Sequence, residues 1–379
     1  MQNSKLFFSI LLAALALFAG CGESKRSSAK EEDEASSGKA ATKPAEKTGE
    51  KAVAADAAEP EAADAGAEAS AKKADDPEVE PEPPPEVSDE VREKCAVFDP
   101  PWGDTWWVTW GRENPDKGEE WMDTIEETMS KADLSVLPEC VHLTHIFLGF
   151  TDIEDLTPIE GLKHLRYVDL RFATKLKDLS PLTELPRLKH LVITGTGVTD
   201  FNEVGKIDTL EELEARMLLA RSAEPLAGMP NLWRVDLLKD PISDMSPLAR
   251  IPKIRKVKLC QTDIKSYEDL FPVAEQLRGL ETCNSKIPTE NFSQLARFEN
   301  LTFLRLWGNP IDDLTPVAGM KDLEELDLTQ TKVEDLTPLH GLKNLETLYL
   351  IMVDIEDEQI EKLKKAVPGV NVIRKMTFN

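Results

Sequence analysis

Histidine and cysteine are both scarce in this chain of 379 residues, at five each. The histidines form no ligand pair: His145 and His190 fall on strands two apart, roughly 10 Å, too far to share one zinc. Cys-x-x-Cys, a nucleophile elbow and a phosphate-cradling glycine loop are all missing. The chain therefore reads as a non-enzyme with no catalytic residue, no metal and no cofactor. Basic residues are outnumbered, 45 Lys and Arg against 70 Asp and Glu, for a net charge of −25. A surface of that sign repels phosphate and excludes nucleic acid as a partner. Long apolar runs are also lacking, since the apolar run from Leu6 to Phe18, which contains Ser9, is too short to span a bilayer comfortably. Aromatic residues are absent altogether from 22 to 88.

That last absence divides the chain. Residues 21–88 are Ala, Glu, Asp, Lys, Ser and Pro, a composition that cannot bury enough apolar surface to offset its ordering entropy. This segment is expected to be a disordered acidic tether with a reach of about 45 Å. Ahead of it, Lys5, the apolar run and the small residues Ala19 and Gly20 read as a signal peptide over 1–20. Phe18-Ala19-Gly20-Cys21 resembles the lipobox of bacterial lipoproteins, with Phe18 where that family has Leu. The resemblance implies a lipidated Cys21 and a place in the cell envelope, on the outer membrane or cell surface, held by the several acyl chains that stable anchoring needs.

Past residue 142 the dominant signal is a period. The apolar triplet Leu143/Ile146/Leu148 returns as Leu165/Val168/Leu170, Leu188/Leu191/Ile193 and onward to Leu345/Leu348/Leu350, mostly at steps of 22 residues, with weaker copies at Leu210/Leu213/Ala215 and Leu277/Leu280/Thr282. A fixed period of this size means a solenoid, one continuous core rather than several domains. Within each copy the alternation around the second and third apolar positions predicts a short strand. A small polar residue follows it at Thr151, Thr196, Thr262, Ser285, Asn309 and Thr331, where its side chain can satisfy turn backbone. A capping residue comes next in every copy, among them Asp155, Asp178, Asp200, Asp244, Thr289, Asp313, Asp335 and Asp357. Proline often follows it, as in the first turn of a helix. Capping explains the whole aspartate series without calcium.

The unit L-x-x-L-x-L-x-x-(T/N)-x-(I/V)-x-D-L-x-P-L-x-x-L resembles the leucine-rich repeats of bacterial surface proteins, particularly the internalin-like class, over about 143–366. The resemblance implies an α/β solenoid, a horseshoe with a concave parallel sheet and short helical or 3₁₀ turns on the convex side. Two copies depart from the unit. Leu218 takes the small-polar position, and the stretch from Thr289 to Asn300 reads as a fuller helix.

The ends of a solenoid need lids. Residues 89–142 form a cap rich in tryptophan, with five of the seven tryptophans between 102 and 121 and Trp121, Ile125 and Met129 at helical spacing. At the other end Asp357 to Ala366 reads as an amphipathic helix and 367–379 as a closing half-repeat. The simplest of three disulfide pairings joins Cys95 to Cys140 across the cap and Cys260 to Cys283 between consecutive repeats.

Residues alternating with the strand leucines point out of the sheet. The ligand-binding candidates among them are Phe147, Tyr167, Arg171, Arg305, Trp307 and Tyr349, because large aromatics have no solubility value on an exposed face and Tyr, Trp and Arg favour protein interfaces. The expected function is a lipid-anchored monomer that binds a protein or surface glycan through this face. A structural envelope spacer without a dedicated ligand is the alternative, and a carrier delivering a ligand to an enzyme is a third reading.

Overall fold

Each repeat is too short to close a core alone, so its leucines are buried only where successive copies stack. The computed structural model describes residues 82–99 and 128–375, all within the unit Glu78–Asn379. The signal peptide, Cys21, the tether up to residue 81 and the tryptophans from 102 to 121 lie outside the described residues.

Among the described residues, eleven strands of three residues pair in parallel and in chain order as one sheet. They are β1 His145–Phe147, β2 Tyr167–Asp169, β3 His190–Val192, β4 Glu212–Glu214, β5 Arg234–Asp236, β6 Lys256–Lys258, β7 Gly279–Glu281, β8 Phe303–Arg305, β9 Glu325–Asp327, β10 Thr347–Tyr349 and β11 Asn371–Ile373. The register is constant: Ile146 stands beside Val168, Leu191, Leu213, Val235 and Val257 in turn. This column and the leucines on either side of it are sealed from solvent along the array. In β11, Val372 extends the column beside Leu348, as the closing half-repeat requires.

The far side of each coil carries 3₁₀ helices, placed by the aspartates. Asp155 Oδ1 accepts the Thr157 N–H at 2.8 Å, and Asp178, Asp313 and Asp335 accept from Ser180, Thr315 and Thr337 at the same distance. Hydroxyls do the same at Ser222 and Ser266, each accepting from the residue two ahead. Two expected caps differ. Asp357 is the first residue of helix α2, Asp357–Ala366, and its carboxylate pairs with Arg374. Thr289 opens a nine-residue 3₁₀ helix, Thr289–Arg297, rather than a fuller α-helix.

Every coil leaves the sheet through one left-handed residue, in a column running Phe150, Phe172, Gly195, Met217, Lys239, Gln261, Asn284, Gly308, Gln330 and Met352. A side chain in this conformation costs about 1 kcal/mol or more, yet only two positions are glycine. At Gly308 a Cβ would fall 2.1 Å from Asn284 Oδ1, and at Gly195 it would fall 2.7 Å from the Phe172 ring. The neighbouring side chain in the column, as well as φ, demands glycine there.

The irregular copies are repaired by their neighbours. Leu218 brings no polar side chain to its turn, and Asp240 of the next repeat accepts its N–H at 2.8 Å. Thr282 stands where other copies carry a core apolar residue. Tyr267 fills that space from the 3₁₀ side, fully buried, with its hydroxyl 2.9 Å from Thr282 Oγ1 and its ring edge-on to Phe292 and Phe298.

At the N-terminal end, helix α1, Asp89–Cys95, is capped by Ser88, and Cys95 is joined to Cys140 by a disulfide. The segment after α1 continues onto the edge of the sheet, where Phe98 O accepts the Phe147 N–H at 2.8 Å. The second expected bridge is absent, because Cys260 and Cys283 are both free and buried. In-register parallel neighbours project the same way rather than toward each other, and the contact made is Cys283 N–H to Cys260 Sγ at 3.1 Å.

Candidate functional site

The solvent face of the sheet is laid out by register, so each strand position forms a row across the array. Its N-terminal half is occupied by charges that satisfy one another. Asp169, fully buried, accepts from the Arg171 backbone N–H at 3.0 Å and from Arg171 Nε at 2.8 Å, while the Tyr167 hydroxyl donates to its Oδ2 at 3.2 Å. Burial, with Asp169 alongside, pushes the Tyr167 hydroxyl well above the ordinary phenol range. Arg216 bridges Asp236 at 2.7 Å and Glu214 at 3.3 Å, and burial raises the Glu214 carboxyl. Arg234 reaches Glu212 at 2.7 Å, and Lys258 reaches Glu281 at 3.1 Å.

Two of the six expected contact residues are therefore inaccessible. Phe147, on the edge strand that the capping segment joins, is only 8% exposed, and Arg171 is only 3% exposed, because its guanidinium compensates buried Asp169. Tyr167 is half-buried and engaged by the same carboxylate. Arg305, Trp307 and Tyr349 remain half-exposed on the C-terminal half. The six do not form one site, since β2 and β8 lie six strand spacings apart, roughly 29 Å.

A groove in the face lies over Gly279 of β7. The first strand position holds a side chain at Arg234, Lys256, Phe303 and Glu325, but none at Gly279, and a groove of about 360 Å³ opens there. A Cβ at this glycine would fall 2.8 Å from Lys256 Cγ, so the lysine stem lies across the gap. Lys256 Nζ sits 4.2 Å from the centroid of the Phe303 ring and Arg305 Cζ 4.6 Å from it, giving one aromatic two cations. Burial, and after it the charge of Lys258, pushes the Lys256 ammonium down to about 8.

The groove is polarised. One wall carries Arg255, Lys256 and Arg278 beside Trp233, and the other carries Glu324, Glu325 and Glu346. Arg255 and Arg278 donate to backbone carbonyls of Gln276, Glu275 and Leu277. Among the described residues neither forms a salt bridge. These groove residues lay outside the sequence-based choice of sites, although reading the first strand row in register reveals both the sole glycine among β1 to β10 and the change of sign beside it.

Among the described residues no helix is long and apolar enough to cross a membrane. No curated protein matches the chain. Residues 299–339 match the family described as Leucine Rich repeats (2 copies). Similar solved structures include an internalin from Listeria monocytogenes, 20% identical, covering 69% of this chain and 89% of its own with a TM-score of 0.47. A leucine-rich-repeat protein of Leptospira interrogans is 17% identical over 62% of this chain and 74% of its own, with a TM-score of 0.42. The ectodomain of a plant receptor kinase from Arabidopsis thaliana, solved with CASPARIAN STRIP INTEGRITY FACTOR 2, is 16% identical over 63% of this chain and 34% of its own, with a TM-score of 0.44. With eleven in-register parallel strands and 3₁₀ turns behind them, the repeats of this chain are leucine-rich repeats wound as a parallel-sheet solenoid.

Proposed function

We propose that this protein is a lipid-anchored leucine-rich-repeat protein of the cell envelope that binds a protein ligand through the solvent face of its sheet. The fold is one typical of protein–protein interaction, and it carries no function by itself. The observation that supports binding is the set of half-buried aromatics, Trp233, Phe303, Trp307 and Tyr349, on the C-terminal part of a face rich in charge. Aromatic and arginine side chains in that setting are the usual anchors of protein interfaces. The spacer reading draws support from the self-paired charges around Asp169 and Asp236, which leave that half of the face little to offer a ligand.

Site-specific photo-crosslinking in the native cell separates the two readings. A benzoylphenylalanine at Glu212 or Thr347, on the sheet face, is expected to give a discrete protein adduct, and one at Glu184 or Glu290, on the 3₁₀ side, is not. Adducts at all four positions alike, or at none, would favour the spacer. Metabolic labelling with palmitate tests the anchor: label should appear on the wild type and vanish from Cys21→Ala, and an unlabelled wild type rejects lipidation.

A further inference from the structure

The rows that cross the groove change sign within a few strands. At the first strand position the order is Arg234, Lys256, Gly279, Phe303, Glu325, and in the row just ahead it is Arg255, Arg278, Thr302, Glu324, Glu346. Basic and acidic walls thus face each other across a gap whose floor is the Gly279 backbone and the Phe303 ring. Elsewhere on this face opposite charges are adjacent and neutralise each other. Here Glu325 is paired with Arg305 at 2.8 Å, but among the described residues Glu324 and Glu346 form no salt bridge, and the basic side is under-compensated: the carboxylate paired with Lys256 is Glu281, at 3.9 Å.

We infer that this groove seats an extended segment of the protein ligand carrying an acidic side chain, received by Lys256, Arg255 and Arg278, and about four residues away a basic side chain, received by Glu324 and Glu346 beside the Arg305–Glu325 pair. The inference rests on the proposal that the sheet face binds protein. The spacing comes from geometry. From β6 to β9 is three strand steps of about 4.8 Å, roughly 14 Å, and an extended chain advances about 3.3 Å per residue. Charge argues against a polyanionic glycan, because a chain of like charges anchored on Lys256 meets the glutamate wall at about one and a half Debye lengths, and closer as it lengthens. Pre-organisation argues for binding, since the contacts of Lys256 and Arg305 with Phe303 hold both cations before a ligand arrives. A bound carboxylate would also relieve the crowding of Lys256 by Lys258, Arg234 and Arg305, which only Glu281 offsets.

The test is selection of a random dodecapeptide library, displayed on phage, against the full chain. The expected result is enrichment of peptides with Asp or Glu separated by about four residues from Lys or Arg. A synthetic peptide of the enriched pattern should lose at least tenfold in affinity for Lys256→Glu and for the milder Lys256→Gln, with none lost for Lys163→Glu outside the groove. Exchanging the peptide's acidic residue for Lys should restore binding to Lys256→Glu. The inference is overturned if nothing is enriched, if enriched peptides lack the spaced pair, if Lys256→Gln binds as the wild type does, or if heparin competes more effectively than the peptide. Crosslinks at Glu212 or Thr347 together with a failed selection would reject the groove while leaving the sheet-face proposal standing.

Discussion

Replacing Asp240 by Asn should stabilise the protein at neutral pH and flatten its stability between pH 5 and pH 8. Asp240 is fully buried, its Oδ1 accepts the Leu218 N–H at 2.8 Å, and its Oδ2 has no hydrogen-bond partner. Burial outweighs the backbone donors from Leu218 to Ala220 and pushes the carboxyl from an ordinary 3.8 up to about 7. Between those two values the folded chain keeps a proton that the unfolded chain has released. Stability contributed by this group is therefore greatest in acid and falls as pH rises to about 7. At 1.36 kcal/mol per pH unit the whole loss is on the order of 4 kcal/mol, of which on the order of 3 kcal/mol lies between pH 5 and pH 8.

Asn309, three positions after its own strand leucine as Asp240 is after Leu237, shows what an amide does in this place. Its Nδ2 donates to Leu306 O at 2.8 Å and Thr282 O at 2.9 Å, while its Oδ1 accepts the Ser285 N–H at 3.0 Å. By repeat equivalence Asn at 240 would donate to Leu237 and Ala215 and keep the bond from Leu218. Urea unfolding followed by circular dichroism at pH 5, 6, 7 and 8 reads the effect. The wild type should lose more stability across the series than Asp240→Asn does, so that their difference grows with pH. A difference that is constant with pH refutes the argument, because Glu214 and Asp327, also raised by burial, titrate in both proteins and cancel.

Gly308→Ala should destabilise more than Gly228→Ala, because both residues have positive φ but only at 308 does the new Cβ strike a neighbour, Asn284 Oδ1. The cost at 228 should be about 1 kcal/mol, and equal midpoints in urea would show that the column contact is soft. Cys95→Ser opens a loop of 45 residues and should lower stability by about 4 kcal/mol on a chain-entropy estimate, read as a matching shift in the urea transition. Non-reducing peptide mapping should recover Cys260 and Cys283 as free thiols, reactive only after unfolding, and a peptide linking them would contradict the sheet geometry. Thr331→Val removes a buried hydroxyl donating to Leu328 O and should cost about 1 kcal/mol by the same assay.

The solenoid was legible because every buried position is repeated. One copy of Leu-x-x-Leu-x-Leu is a weak signal, but ten in register leave no other way to bury their leucines. Asp155 and its equivalents were legible for the same reason, as a cap recurring beside the first turn of each 3₁₀ helix. The left-handed column was not, since Phe150, Met217, Lys239 and Gln330 share a backbone conformation and nothing in side-chain chemistry. Nor was the repair of the irregular copies, because Tyr267 and Thr282 are 15 residues apart and meet only once a 3₁₀ turn folds back onto the sheet.

The site was harder to read for a reason specific to repeats. Choosing residues by type along the chain favours aromatics and arginines wherever they stand, and so gathers Phe147 and Arg171, both buried, the latter against Asp169. Recognition on a sheet depends instead on what lies beside a residue in the neighbouring strand, 22 to 24 residues away in sequence. On that measure the informative residue is one without a side chain. Gly279 removes a single side chain from an otherwise filled row, which lets Lys256 lean toward Phe303 and opens a groove between the basic wall and Glu324 and Glu346. Filling that row with Gly279→Val would set a branched side chain against the Lys256 stem and abolish the groove without altering any charge. Loss of a selected peptide from that variant, with circular dichroism unchanged, would separate the shape of the groove from its electrostatics, and full retention would mean that ligands are held by the rim charges alone.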